Sequence, residues 1–252
     1  MGDKFKDKVV IVTGGSRGLG RAISVGFARE GAQVVVASRK ISACQEVVAL
    51  IEEAGGTGMA HAAHMGEVAD LDALIAAAYE RFGRVDVLVN NAGINVALGP
   101  LSEITTTAFD KMVDVNLKGA WYLASRLAPR MGENGGGCVI NMLSVAALCT
   151  PAYSGIYAAT KAALKALTEV MAQEWAPWNI RVNALAPGSY HSDLTDGAIA
   201  ALPHYGEGMV TAALIPRIAE TEEILNPVFY LASEAFTTGI TLVADGGLMA
   251  KR

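Results

Sequence analysis

Cysteine is scarce in this chain of 252 residues. The three present, Cys44, Cys138 and Cys149, are odd in number and widely spaced. None falls in a Cys-x-x-Cys pair, which argues against a zinc site and against a disulfide framework. They read as small buried hydrophobes of a reducing compartment. Charge is sparse too: 18% of residues are charged, the net charge is −5, and no basic block occurs. Nucleic acid needs a basic surface, so it is not an expected partner. The four histidines (His61, His64, His191, His204) have no metal-ligand spacing. A Pro/Ser-rich linker, a low-complexity tract and an internal repeat are all missing, so one domain over 1–252 is expected. The N-terminus has no signal-peptide apolar core. Lys6 stands where a myristoylation signal wants Ser or Thr. Residues 135–160 carry no charge, but glycines, Asn141 and Pro151 interrupt them. They read as a buried strand and loop rather than a membrane span. A soluble cytoplasmic protein is the expectation.

What the chain does have is apolar bulk, 52% of its residues, enough for a large core. Short apolar runs are expected as strands at Lys8–Thr13, Val34–Ser38, Gly58–His61, Val85–Val89, Cys138–Leu143, Ile180–Leu185 and Thr241–Val243. Helical patterns separate them: Leu19–Glu30, Ser42–Glu53, Leu71–Arg81, one long helix over Ala108–Met131, a helix ending near Trp175, and Glu220–Ser233. Such alternation predicts an α/β fold, a doubly wound parallel sheet of seven strands with helices on both faces.

The first strand runs into Thr13-Gly14-Gly15-Ser16-Arg17-Gly18-Leu19-Gly20. Glycines there let a pyrophosphate approach the backbone, and the following helix N-terminus supplies donors and a positive dipole. Gly14, Ser16, Arg17, Gly18, Leu19 and Gly20 are the expected dinucleotide cradle. A carboxylate at the end of the second strand would bind the 2′-hydroxyl of NAD and repel a 2′-phosphate. The chain has Ala37-Ser38-Arg39-Lys40 instead. Arg17 and Arg39 could flank a 2′-phosphate, so NADP(H) is expected over NAD(H).

Tyr157 and Lys161 are four apart in an Ala-rich stretch that favours a helix. They would share a face, and a nearby cation favours the phenolate and lowers a tyrosine pKa. Such a phenol can exchange a proton near neutral pH. Ser144, at the end of the fifth strand, could hold a substrate oxygen beside it.

With these residues in place the chain resembles the short-chain dehydrogenase/reductase family, nearly end to end. The family's glycine motif matches Gly14, Gly18 and Gly20. Its Asn-Asn-Ala-Gly is Asn90-Asn91-Ala92-Gly93, and its helix asparagine is Asn116. Its Ser, Tyr and Lys are Ser144, Tyr157 and Lys161, and its Pro-Gly is Pro187-Gly188. The resemblance implies a Rossmann-type fold and an NADP-preferring carbonyl reductase or 3-oxoacyl-carrier-protein reductase. In it Tyr157 is general acid and base, and Lys161 binds the nicotinamide ribose. Ser144 bonds the substrate oxygen, and Asn116 holds a water leading to Lys161. Asn90 would support cofactor and strands; Asn91, Ala92 and Gly93 line the cofactor.

The departures carry expectations of their own. His64-Met65 replaces the usual Asp-aliphatic pair at the adenine, leaving the Met65 N–H to serve it. Ser192 takes the place of a carboxamide-binding threonine. Tyr190 would narrow the substrate pocket. A lid over about 189–216, with Leu194, Ile199, Leu202, Tyr205, Met209, Val210 and Leu214, would close the site. Leu143, Val145, Tyr153, Val96 and Leu98 would line its wall, which suits a small carbonyl or alcohol with apolar bulk. A carrier-protein substrate wants basic residues at the mouth, and only Arg126 and Arg130 are near. A silent NADP(H)-binding protein is disfavoured because Tyr157 and Lys161 are both present. The extra apolar residues of the Ala108–Met131 and Tyr157 helices, with the family resemblance, imply a homotetramer.

Overall fold

The computed structural model describes residues 2–201, 208 and 211–251. Leu202, Tyr205, Met209 and Val210 of the expected lid, and His204, lie outside the described residues. In chain order the elements begin with β1 (Val9–Thr13), α1 (Gly18–Arg29), β2 (Gln33–Ser38), α2 (Ile41–Glu53), β3 (Thr57–Ala62) and α3 (Val68–Phe82). Then follow β4 (Val87–Asn90), α4 (Thr106–Val113), α5 (Gly119–Glu133), β5 (Gly137–Met142), α6 (Ala146–Cys149) and α7 (Gly155–Trp175). The last are β6 (Ile180–Pro187), α8 (Asp193–Ala201), α9 (Leu225–Ser233) and β7 (Thr241–Ala244).

The strands form one parallel sheet in the order β3-β2-β1-β4-β5-β6-β7. The β1 residues VVIVT are buried throughout, as a strand covered on both faces must be. Alternate residues serve opposite layers. Val9 and Ile11 pack with Leu74 of α3, Leu127 of α5 and Trp175 of α7. Val10 and Val12 pack with Phe27 of α1, Val47 of α2 and Leu231 of α9. The chain winds one way from β1 to β3 and the other way from β4 to β7. The crevice of such a sheet therefore opens at the carboxyl ends of β1 and β4.

Several boundaries differ from expectation. The long helix is not continuous: a π-helical turn, Asp114–Lys118, separates α4 from α5. Asn116 sits in that turn, fully buried, and its amide serves groups outside the helix. Strand β6 runs on to Pro187, because Ala184–Pro187 pair with β7. The helix expected from Glu220 opens as a 3-10 turn, Thr221–Ile224. The segment before Gly239 hangs on Arg181, which donates to Leu231 O and Ala232 O (both 2.7 Å) and to Thr237 O (3.1 Å). None of the described helices is long and apolar enough to cross a membrane.

Candidate active site

The first half of α7 carries Tyr157 and Lys161. Four residues is about one turn, and the Lys161 ammonium lies 5.9 Å from the centre of the Tyr157 ring. Lys161 is 2% exposed. Its Nζ donates to Met142 O, the last carbonyl of β5, at 2.7 Å. Burial disfavours the charged amine and brings its pKa down from 10.5 to about 8. A Cβ at Gly93 would stand 3.2 Å from Lys161 Nζ, so glycine lets the Asn-Asn-Ala-Gly turn pass directly over the ammonium.

Asn116 fixes that turn from the other side. Its Oδ1 accepts from Ile94 N and its Nδ2 donates to Ile94 O, both at 2.8 Å. Nδ2 also reaches Thr160 Oγ1 at 3.2 Å, and Thr160 Oγ1 donates to Tyr157 O at 2.8 Å. Asn116 therefore joins the β4 turn to the Tyr157 helix. Ser144 lies two residues beyond β5 rather than at its end. Leu143 N donates to Leu185 O (2.7 Å) and Val145 N to Pro187 O (3.0 Å), which pins Ser144 between two bonds to β6. Ser144 Oγ accepts from Ala146 N at 3.1 Å and so starts α6, which packs on α7.

The glycine turn lies at the end of β1. A Cβ on Gly20 would collide with the Gly14 carbonyl, so only glycine permits this tight entry into α1. Ser16 and Ser38 share a 2.8 Å hydrogen bond that joins the turn to the end of β2. Leu19 packs against the α1 layer, and Arg17 and Arg39 are exposed. Asn91 Nδ2 donates to Thr13 O (2.9 Å) and Gly14 O (3.3 Å). Thr13 Oγ1 accepts from both Asn91 N (3.0 Å) and Ala92 N (3.1 Å). After β3, His64 Nδ1 accepts from Gly66 N, while Met65 buries its side chain in the α3 layer. After β6, Gly188 N donates to Ala244 O, and a Cβ on Gly188 would crowd Asp245. Ser192 Oγ accepts from Thr195 N at 3.2 Å and caps α8, and its Cβ lies 3.4 Å from the position of a Gly18 Cβ. Apart from Asn116, Tyr157 and Lys161, which helices carry, the expected catalytic and coenzyme residues thus lie on or just past the carboxyl edge of β1 to β6.

One expectation needs correction. Tyr190 does not narrow the substrate side. Its ring is buried against Leu185, Ile224 and Val228 on the α9 face, and it lines a cavity of about 320 Å³ with Arg217, Glu223 and Asp245. Asn90 supports the adjoining strand, as expected of it: its Nδ2 donates to Asn141 Oδ1 of β5 and to Ala120 O, each at 3.0 Å. Thr13, Thr160 and Asp193 were missed by sequence reasoning. Thr13 had one available signal, a hydroxyl ending an otherwise apolar strand just before the glycines.

Comparison with known proteins agrees with this arrangement. The short chain dehydrogenase family profile matches residues 8–201. The chain belongs to the short chain dehydrogenase family. Human dehydrogenase/reductase SDR family member 4 is 35% identical over 248 residues, covering 97% of this chain and 88% of its own. L-rhamnose 1-dehydrogenase (NAD(P)(+)) of Azotobacter vinelandii is 37% identical over 253 residues, covering 96% of each. Among solved structures, 7 alpha-hydroxysteroid dehydrogenase, in complex with NADH and 7-oxo glycochenodeoxycholic acid, superposes with a TM-score of 0.92. It is 31% identical, over 96% of this chain and 94% of that one. This short chain dehydrogenase is accordingly an oxidoreductase acting on alcohol and carbonyl groups, in a family that binds NAD(P)(H).

The lowered pKa of Lys161 has a stability signature. Folding penalises the ammonium fully below pH 8, and the penalty lifts as pH rises from about 8 to 10.5. The unfolding free energy of wild type minus that of Lys161→Met should be flat below pH 8. It should then rise by roughly 3 kcal/mol toward pH 10.5. Urea titrations at several pH values measure it, and a difference that stays flat throughout contradicts the assignment.

Proposed function

We propose that the chain is a single catalytic domain, an NADP(H)-dependent oxidoreductase that interconverts a ketone or aldehyde of apolar bulk with its alcohol. Tyr157 is the general acid in reduction and the general base in oxidation. The observation that carries this is the Lys161 amine, buried beside the Tyr157 ring and bonded to the end of β5. In its protonated form it favours the phenolate, so Tyr157 gives up or regains its proton at lower cost. Ser144 Oγ holds the substrate oxygen next to the phenol. Lys161 also binds the nicotinamide ribose hydroxyls. Asn116, which ties Ile94 to Thr160, holds a water through which Lys161 exchanges its proton with solvent. The nicotinamide, when bound, supplies or accepts the hydride.

The glycine turn fits a dinucleotide: a Cβ at Gly18 would meet nothing closer than Ser192, so the backbone there is open to a pyrophosphate. Gly14, Ser16, Leu19, Gly20, Asn91, Ala92, Gly93, Pro187, Gly188 and Ser192 complete its walls, with His64 and Met65 at the adenine. The 2′-phosphate preference rests on this chain's own residues. Ser38 is hydrogen-bonded to Ser16, and exposed Arg39 follows it with no acid. The relatives' names cover both NAD and NADP. The apolar substrate is supported by the rim. Gly99 N donates to Tyr153 O (2.9 Å), which ties the loop carrying exposed Val96 and Leu98 to Tyr153, itself 61% exposed.

A cytoplasmic homotetramer is part of the same reading. Fewer residues support it than the sequence suggested, since Leu123, Ala124, Leu127 and Trp175 are spent in the subunit's own core. Trp121 on α5 and Val170 on α7 remain exposed, as do Ile240 and Val243 at the β7 edge. An unpaired edge strand is a template for a second copy.

Tyr157→Phe should cut NADPH-dependent ketone reduction roughly 100-fold or more while the NADPH Kd hardly moves. Substantial remaining turnover would remove Tyr157 from the mechanism. Arg39→Asp should weaken NADPH about tenfold or more and NADH far less; equal losses would refute the coenzyme preference. Light scattering at micromolar concentration should give four times the 26.2 kDa of one chain. A one-chain mass rejects the assembly, and a two-chain mass leaves one interface.

A further inference from the structure

Arg17 does not point into empty solvent. Its Nη1 lies 2.6 Å from Oδ2 of Asp193, the first residue of α8. The neighbouring pair lies close as well: a Cβ added at Gly18 would come within 3.4 Å of Ser192 Cβ. Two consecutive residues of the glycine turn thus face two consecutive residues at the start of α8, and one pair is in direct contact. Asp196, also in the first turn of α8, faces elsewhere: its Oδ1 is 3.6 Å from His191 Nδ1.

We propose that Asp193 is a specificity-determining residue, a carboxylate that competes with the coenzyme 2′-phosphate for Arg17. The inference rests on the reading of Arg17 as a 2′-phosphate partner. A guanidinium grips carboxylate and phosphate in the same way, through a planar fork of N–H donors. A phosphate arriving at Arg17 must therefore displace or share the Asp193 carboxylate. A dinucleotide with a free 2′-hydroxyl makes no demand on Arg17 and leaves the ion pair intact. The competition falls on NADP(H) alone, so Asp193 narrows the gap between the two coenzymes without weakening NAD(H). Both side chains are well exposed, 64% and 61%. Water and salt screen such pairs, so the effect is about two- to fivefold in affinity.

The test is direct binding. NADPH and NADH are titrated by nicotinamide fluorescence into the full chain as wild type, Asp193→Asn, Asp196→Asn, Arg17→Gln and the Arg17→Gln/Asp193→Asn double variant. Asp193→Asn should tighten NADPH about two- to fivefold and leave NADH unchanged. Asp196→Asn removes an equivalent charge from the same helix turn and should not change the NADPH-to-NADH ratio. Arg17→Gln should weaken NADPH selectively, and in that background Asp193→Asn should lose its selective effect. If Arg17→Gln is selective but Asp193→Asn leaves the ratio unchanged, or tightens both coenzymes alike, the competition is refuted and the coenzyme reading stands. If Arg17→Gln affects both coenzymes equally, the reading of Arg17 fails and the inference with it.

Discussion

The constraint on which the rest of the site depends is the burial of one amine. Lys161 is carried into the interior by α7 and meets the last carbonyl of β5 at 2.7 Å. Burying an ionisable group is expensive unless the surroundings compensate, and here the amine responds by titrating near pH 8. An amine with that pKa changes protonation state close to neutrality, which suits the proton exchange proposed for it. Its position also dictates the loops above it. A side chain at Gly93 would press on the ammonium, and the turn it belongs to is held down from elsewhere.

Asn116 does the holding, at the expense of helix regularity. Its amide serves both backbone groups of Ile94, so the α4–α5 helix gives up its own register for one π turn. π turns inside helices are often found where a side chain must be re-aimed for function. A second polar thread runs below. Asn90 bonds Asn141, Asn141 bonds Thr168, and Thr168 returns to Leu164 O. Every member is buried and paired, so the thread links β4, β5 and α7 without leaving an orphaned amide. Thr13 repeats the device at the switch point, where one hydroxyl accepts from two amides of the β4 turn and donates to Val89 O. These bonds give loops from separate strands a common frame.

Stability and chemistry are kept at opposite ends of the sheet. At the amino ends, buried Asp86 accepts from Val9 N and takes ion pairs from Lys8 and Arg84. At the carboxyl ends the residues proposed for coenzyme and substrate include exposed groups such as Arg17, Arg39 and Tyr153. Parallel strands make this division natural, because all of their carboxyl ends, and hence all the following loops, face one way.

How much of this was legible depended on whether the signal was local. Apolar runs located all seven strands: β1, β2, β4, β5 and β6 are buried almost throughout and must be apolar in themselves, whereas the edge strands β3 and β7 are only partly covered. The glycine turn, Tyr157 and Lys161 were legible for a similar reason: strand, turn and helix follow one another directly, and four residues make about one helical turn. Local spacing could not reveal that α4 and α5 are separated by a π turn, since the group that unwinds them, Ile94, lies 22 residues away. Nor could it turn Tyr190 to the α9 face, show that most apolar residues of α5 are consumed by the subunit's core, or set Asp193 against Arg17 across 176 residues. The sequence by itself determined the strands, most of the helices and which side chains each loop carries, because those follow from neighbouring residues. Only the tertiary structure decided which loops meet, because such contacts depend on strand order and on long-range hydrogen bonds that no local pattern encodes.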